Sequence, residues 1–360
     1  MSVGAPAPAA REPVLEVQDL EVEFVTEDGP LRAVRGLSYH LEPGEVLGVV
    51  GESGSGKSVA AMALLGLLPK TARITGSARF EGDELVGMGR DEMNAVRGKR
   101  IAMVFQDPMT SLNPVHRVGA QIAEAIMASG TVEKKDAAQR AVSLLERVGI
   151  PEARTRARDY PHQFSGGMRQ RAVIAMAMAN DPDVLIADEP TTALDVTVQA
   201  QVLETLVAAQ AETQAAMILI THDLGVIANM ASRVLVMYAG KAVETGSITD
   251  IFDRPRMPYT LGLLGSLPSI DAEDERLTPI TGSPPSLLNL PPGCPFAPRC
   301  PMTRARCLEE EPQLRPVGGP GHHAACHFAE ELSAVDRPDE VFAVTAADPV
   351  MTDELEGPQP

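Results

Sequence analysis

"GESGSGKS", residues 51–58, follows the apolar run "VLGVV" and leads into "VAAMALLGLL". A strand, a glycine-rich loop and a run of helix formers in that order aim backbone N–H groups and the positive end of a helix at one point, where an anion binds. Gly51, Gly56, Lys57 and Ser58 meet the spacing G-x-x-x-x-G-K-[ST]. The backbone of Gly51, Glu52, Ser53, Gly54, Ser55 and Gly56 is expected to curl around phosphate, Lys57 to reach the terminal phosphates, and Ser58 to offer a hydroxyl to magnesium. No breaker stands before Pro69, so a helix is predicted over 57–68.

Upstream, "VLEVQDLEVEF" (14–24) alternates as a half-buried strand does, and "LSYHLEPGEVLGVV" (37–50) reads as two strands around a Pro-Gly turn. Downstream, "RIAMVFQD" is a short buried strand ending at Gln106. Residues 115–148 turn helical, with Val118, Ile122, Ala125 and Ile126 at helical spacing, inside an inserted helical region of about 107–180. From residue 184 strands "VLIAD", "AMILIT" and "RVLVMY" alternate with helices "DVTVQAQVLETLVAAQ" and "LGVIANM". Such alternation predicts an α/β fold with a mostly parallel sheet covered on both faces. A disordered leader is expected over 1–13, the main domain over 14–253, and a small irregular module, rich in proline and glycine, over 254–327. Residues 328–360 carry nine carboxylates against Arg337 alone and read as a solvated, disordered tail.

The second anchor is "VLIADEP". A buried strand ends in Asp188, placed to hold magnesium through water, and Glu189 follows, placed to orient and deprotonate an attacking water. Just before it, "FSGGMRQR" opens a helix at Ser165, Gly166 and Gly167 with unobstructed N–H groups, a second anion site built on the same physics. Two phosphate-seeking helix starts suggest that two copies clasp nucleotide between them.

Charge and hydropathy exclude other classes. Against 31 basic side chains stand 49 acidic ones, a net charge of −18, which repels nucleic-acid backbones and anionic lipid alike. No apolar stretch approaches the roughly 18–20 residues needed to cross a bilayer. The leader has no signal-peptide pattern, which places the protein in the cytosol.

These residues resemble the ATP-binding cassette family of transport ATPases over residues 14 to about 253: phosphate loop, Gln106, "SGGMRQR", "VLIADE", "TALD" with Asp195 and "ITHD" with His222, in order. The resemblance implies that Gln106 senses the metal site and the permease contact, that Asp195 lies across a dimer, and that His222 touches the terminal phosphate. It also implies an aromatic residue stacked on adenine, for which Phe24 is the candidate, with a place in the strand core as its alternative. The motif departs from the commonest form at Phe164 and Met168. "QDPMTSLNPVHRVGAQIAEA" and "GSPPSLLNLPPGCPFAPRCP" resemble the oligopeptide and dipeptide importer branch, which also contains nickel and glutathione importers. Such a chain would work at the cytoplasmic face of the membrane with a second, paralogous ATPase, two permeases and an extracytoplasmic solute-binding protein. The rival class, ABC ATPases of chromosomes or ribosomes, would show long heptad insertions or two cassettes and a basic surface. None of these is present.

Cys294, Cys300, Cys307 and Cys326 fall together late in the chain, with His322, His323 and His327 nearby. The C-x5-C-x6-C-x18-C spacing lacks the paired C-x2-C of zinc knuckles. Looser spacing fits four thiolates around a larger [4Fe-4S] cluster, supported by the presence of one in some relatives with this tail; zinc and free thiols are the alternatives.

Overall fold

The computed structural model describes residues 12–130, 132–192, 194–266, 280–334 and 341–342. Most of the expected leader and of the acidic tail lies outside the described residues.

The chain opens with two antiparallel strands, β1 (Leu15–Thr26) and β2 (Gly29–Leu41), and later adds β4 (Ala72–Phe80) and β5 (Asp83–Glu84), in the order β2-β1-β4-β5. The buried positions of β1 change phase from Leu15 and Val17 to Leu20 and Val22. The pairing slips at that point, with Asp19 left-handed at φ 48°, so one extra residue lets both halves face the same core.

A second sheet runs β11-β12-β10-β9-β3-β8-β7-β6. Its parallel part comprises β9 (Arg233–Tyr238), β3 (Val46–Val50), β8 (Ala216–Ile220), β7 (Val184–Asp188) and β6 (Ile101–Val104). These strands are almost wholly apolar because both faces are covered. Along β7, Val184 and Ile186 face the core shared with the first sheet and with α1 (Lys57–Leu64), while Leu185 and Ala187 face the opposite core. That opposite core is filled from α7 (Gly166–Ala177), α8 (Val196–Thr213) and α9 (Leu224–Met230).

Helix α1 ends at Leu64 and not at residue 68. Gly66 turns left-handed at φ 55°, its N–H reaching Ala63 O and that of Leu67 reaching Met62 O, a glycine-dependent C-cap that stops the helix before Pro69 can. Strand β6 likewise ends at Val104, leaving Gln106 in the turn beyond it. The first sheet is linked to β6 through α2 (Arg90–Val96). Between β6 and β7 lie α3 (Pro108–Ser111), α4 (Val118–Met127), α5 (Lys134–Arg147), α6 (Ala153–Arg156) and α7. Val118, Ile122 and Ile126 of α4 are fully buried against Leu145 and its neighbours, whereas Ala125 is only half-buried.

As expected, most of the sheet is parallel, from β9 out to the edge strand β6, and the antiparallel part lies at the opposite edge. Strand β10 (Lys241–Ser247) runs antiparallel to β9, β12 (His323–Ala324) is antiparallel to β10, and β11 (Arg315–Pro316) to β12. After β10 come α10 (Ile248–Asp253), α11 (Pro258–Gly265) and, further on, α12 (Ala305–Glu309). The proline-rich stretch therefore ends as strands of the main sheet, and Tyr259, Cys294, Phe296 and Cys307 pack into the same core as β7. Glu311 reinforces the join by binding Arg35 of β2 at 2.9 Å and Lys241 of β10 at 2.9 Å.

Candidate functional site

Because β3, β6, β7 and β8 are parallel, the residues after their last turns meet at one edge of the sheet, where ligands of open α/β sheets bind. Strand β3 delivers the phosphate loop there. Gly51 has φ 150° and Gly56 φ 100°; a Cβ would lie 2.2 Å from Met237 O at the first and 2.4 Å from Ala33 O at the second. Only glycine meets both the dihedral and the space at these two positions. The loop closes on Lys57, whose Nζ donates to Gly51 O at 2.7 Å and to Glu52 O at 2.9 Å, a cation held at the centre of the curl. Burial pulls the Lys57 ammonium below its ordinary pKa, opposed by the charges of Glu189, Asp188 and Glu52.

Ser58 Oγ donates to Asp188 Oδ1 at 2.8 Å, bringing the expected magnesium pair together across α1 and β7. Burial pushes the Asp188 carboxyl above the usual aspartate range, with the Ser58 hydrogen bond opposing. The next residue, Glu189, is left-handed at φ 45°, an uncommon conformation for a residue with a side chain and one that concentrates at functional sites. Its N–H is fixed by Ile220 O at 2.8 Å. Its Oε2 accepts from Gln106 Nε2 at 3.0 Å and from Thr192 Oγ1 at 2.9 Å, and His222 Nδ1 lies 3.6 Å away. Gln106, Glu189 and His222, three residues 116 positions apart end to end in the chain, thus converge on one carboxylate oxygen. Thr192 escaped the sequence reading, although a hydroxyl three residues after Glu189 was the available signal.

Ser165, Gly166, Gly167 and Asp195 stand on other contacts. Ser165 caps α7, its Oγ accepting from Met168 N at 3.3 Å, and Asp195 caps α8, its Oδ1 accepting from Val198 N at 3.0 Å. The two helix starts pack closely, since a Cβ on Gly167 would sit 2.3 Å from Val198 Cγ1. Phe24 is half-buried in β1 and packs on the core under the first sheet.

The metal centre expected from the cysteines is not formed as a coordination group: among the described residues no three His, Cys, Asp or Glu side chains stand together as metal ligands. What the fold does is line one small cavity, of about 20 Å³, with Cys294, Cys300, Cys307 and Cys326. Burial raises the thiols of Cys294, Cys300 and Cys326, to about 12 at Cys300 and about 11 at Cys326. Of the nearby histidines, His322 lies elsewhere, buried with Nε2 2.8 Å from the fully buried Glu244.

A phosphate loop whose lysine and serine meet an Asp-Glu pair, on this sheet order, defines an ATP-binding cassette. A family model for the ABC transporter matches residues 34–192, and one for the oligopeptide/dipeptide transporter C-terminal region matches 243–307. The oligopeptide transport ATP-binding protein OppD of Mycobacterium tuberculosis is 56% identical over 339 residues, 94% of this chain and 55% of that protein. OppD of Salmonella typhimurium is 50% identical over 329 residues, 91% of this chain and 98% of that protein. The dipeptide transport ATP-binding protein DppD of Bacillus subtilis is 53% identical over 298 residues, 82% of this chain and 89% of that protein. This chain spans about half the length of the mycobacterial relatives it matches. Among solved structures, the bacterial ABC transporter cassette MJ0796 aligns with TM-score 0.59 at 24% identity, covering 65% of this chain and 98% of that chain, a likeness of fold. The cbiO1 protein of Clostridium perfringens aligns with TM-score 0.56 at 26% identity, over 67% and 91%. The chain belongs to the ABC transporter family, among its oligopeptide and dipeptide transport ATP-binding proteins.

Proposed function

We propose that this chain hydrolyses ATP to power import of oligopeptides or dipeptides through partner permeases. The observation that carries the proposal is the meeting of Lys57, Ser58, Asp188 and Glu189 at the edge where β3 and β7 end. In this reading the loop N–H groups and Lys57 bind the β- and γ-phosphates of ATP. Ser58 and Asp188 would hold Mg²⁺, which when bound would supply charge neutralisation to the terminal phosphates. Glu189, aimed by Gln106 and Thr192, orients a water in line with the γ-phosphate and takes its proton. His222, beside the same carboxylate oxygen, contacts the terminal phosphate.

Ser165 and Asp195 cap their own helices, and together with Gly166 and Gly167 they are given to a second nucleotide held by a paralogous ATPase chain facing this one. Phe24 is assigned to adenine. No helix among the described residues is long and apolar enough to cross a membrane, so the membrane path falls to permeases. Their docking is assigned to a groove of about 280 Å³ lined by Phe105, Ser111, Ala128 and Met176, between the turn carrying Gln106 and the inserted helices. Half-exposed Met109 and exposed Val115 lie on the same insert. That arrangement would hold the chain at the cytoplasmic face, with a solute-binding protein on the other side.

The test is ATP-dependent uptake by proteoliposomes containing this chain, its paralogue and the permeases. Labelled oligopeptide or dipeptide is expected to accumulate. Accumulation of nickel or glutathione with no peptide would overturn the cargo assignment.

For the cysteines, the lining of one cavity by all four supports a shared ligand, and an iron–sulfur cluster is preferred to zinc because their spacing lacks the paired C-x2-C of zinc knuckles. Cys294, Cys300, Cys307 and Cys326 would hold the cluster after losing their thiol protons. Anaerobically purified protein is expected to be brown with about four iron atoms per chain. Colourless protein with stoichiometric zinc reverses the assignment.

A further inference from the structure

The phosphate loop is held from outside by the C-terminal stretch. Glu52, its second residue, receives both arms of Arg299: Nη1 donates to Oε2 at 2.6 Å and Nη2 to Oε1 at 2.9 Å. Tyr259 Oη accepts the Glu52 backbone N–H at 2.8 Å. Arg299 itself is pinned before it meets Glu52. Its side chain is 4% exposed, its Nε donates to Thr281 O at 3.1 Å, Nη1 also reaches Tyr238 Oη at 3.3 Å, and the guanidinium lies 5.9 Å from the rings of Tyr238 and Phe296. Those rings pack edge-on to one another at 5.4 Å, and each packs against Tyr259. A guanidinium fixed in this way meets a carboxylate with little further loss of side-chain freedom.

The placement matters because of charge. Glu52 stands beside Gly51, and the carbonyls of both hold Lys57. A carboxylate released from its partner here would repel an incoming triphosphate and draw on the Lys57 ammonium meant for it. Arg299 neutralises that charge and draws it away, and the Tyr259 contact fixes the backbone of the same residue.

We propose that Arg299 is a positioning residue for ATP: a side chain of the C-terminal segment that sets the charge and the backbone placement of the phosphate loop through Glu52. The inference rests on the reading of that loop as an ATP site.

The experiment measures fluorescent-ATP affinity and steady-state hydrolysis for the full-length wild type, Arg299→Gln, Arg299→Lys, and the double variant Glu52→Gln/Arg299→Gln. With Arg299→Gln, the Kd and KM for MgATP rise about tenfold, the effect of about 1.4 kcal/mol at the site, while kcat stays within about threefold. Arg299→Lys, which keeps the charge but loses the two-armed grip, falls between. The double variant, with no charge left to neutralise, recovers affinity to within about threefold of wild type. A merely structural arginine gives the opposite order, the double variant being no better than the single. Unchanged affinity in Arg299→Gln, or no recovery in the double variant, overturns the proposal. If Arg299→Gln does not fold, the same comparison is made with Arg299→Lys alone and with Glu52→Gln added. Wild-type protein that fails to bind MgATP refutes the ATP-site reading instead, which keeps the two failures apart.

Discussion

Glu189→Gln separates binding from chemistry at this site. Both donors to the side chain, Gln106 Nε2 at 3.0 Å and Thr192 Oγ1 at 2.9 Å, reach the same oxygen, Oε2. An amide oxygen in that place accepts both, so the backbone at φ 45° and the hydrogen bonds around it persist. What is lost is the group that can take a proton from water, and one negative charge near the triphosphate. Positioned general bases contribute about 10²–10⁴ in rate, equal to about 2.7–5.4 kcal/mol at 1.36 kcal/mol per decade. The variant is therefore expected to bind MgATP at least as tightly as wild type and to hydrolyse it at least about a hundredfold more slowly. Fluorescent-nucleotide titration and single-turnover phosphate release measure the two quantities separately. Turnover within about tenfold of wild type, or a loss of binding that matches the loss of turnover, would remove Glu189 from the base role.

Other outcomes follow from the same contacts. Gly56→Ala forces a Cβ to 2.4 Å from Ala33 O at φ 100°, which costs about 1–3 kcal/mol of backbone strain and displaces the loop; nucleotide binding should fall at least about tenfold, as calorimetry would register. His322→Ala leaves Glu244 buried without its imidazole partner, although the N–H groups of Arg256 and Met257 still donate to it. Breaking a buried pair in this way costs about 3–5 kcal/mol, so the urea midpoint should drop clearly, and an unchanged midpoint contradicts the pairing. In reduced, metal-free protein at pH 8, a thiol raised to about 12 is almost wholly protonated. Alkylation of Cys300 should be about a thousandfold slower than that of an ordinary cysteine and should quicken as pH rises, which peptide mass spectrometry would follow.

Much of the parallel core was legible because short apolar runs such as "VLIAD" and "AMILI" alternate with longer helical segments, the pattern of strands buried on both sides. The phosphate loop was legible because few residue types meet its dihedral demands. Convergence was not. Nothing in the spacing of Gln106, Glu189 and His222 tells that they share one carboxylate oxygen; parallel strand order does that. Gly66 was passed over as a helix stop because a lone glycine costs a helix only about 1 kcal/mol, and its role depends on the left-handed cap it makes with Met62 and Ala63. The C-terminal stretch read as a separate module because proline hides short strands, and because a partner for Glu52 that lies 247 residues away leaves no periodic trace.

The pairing of β12 with β10 bears on how such chains can be recombined. The change in composition near residue 254 invites a splice there, yet a cut at that point strips β10 of its outer neighbour and leaves a bare row of amides along the flank of the nucleotide module. Chimeras that keep β10, Glu244 and His322 from one parent preserve the seam; those that mix parents across it inherit an unmatched buried carboxylate and an adhesive flank.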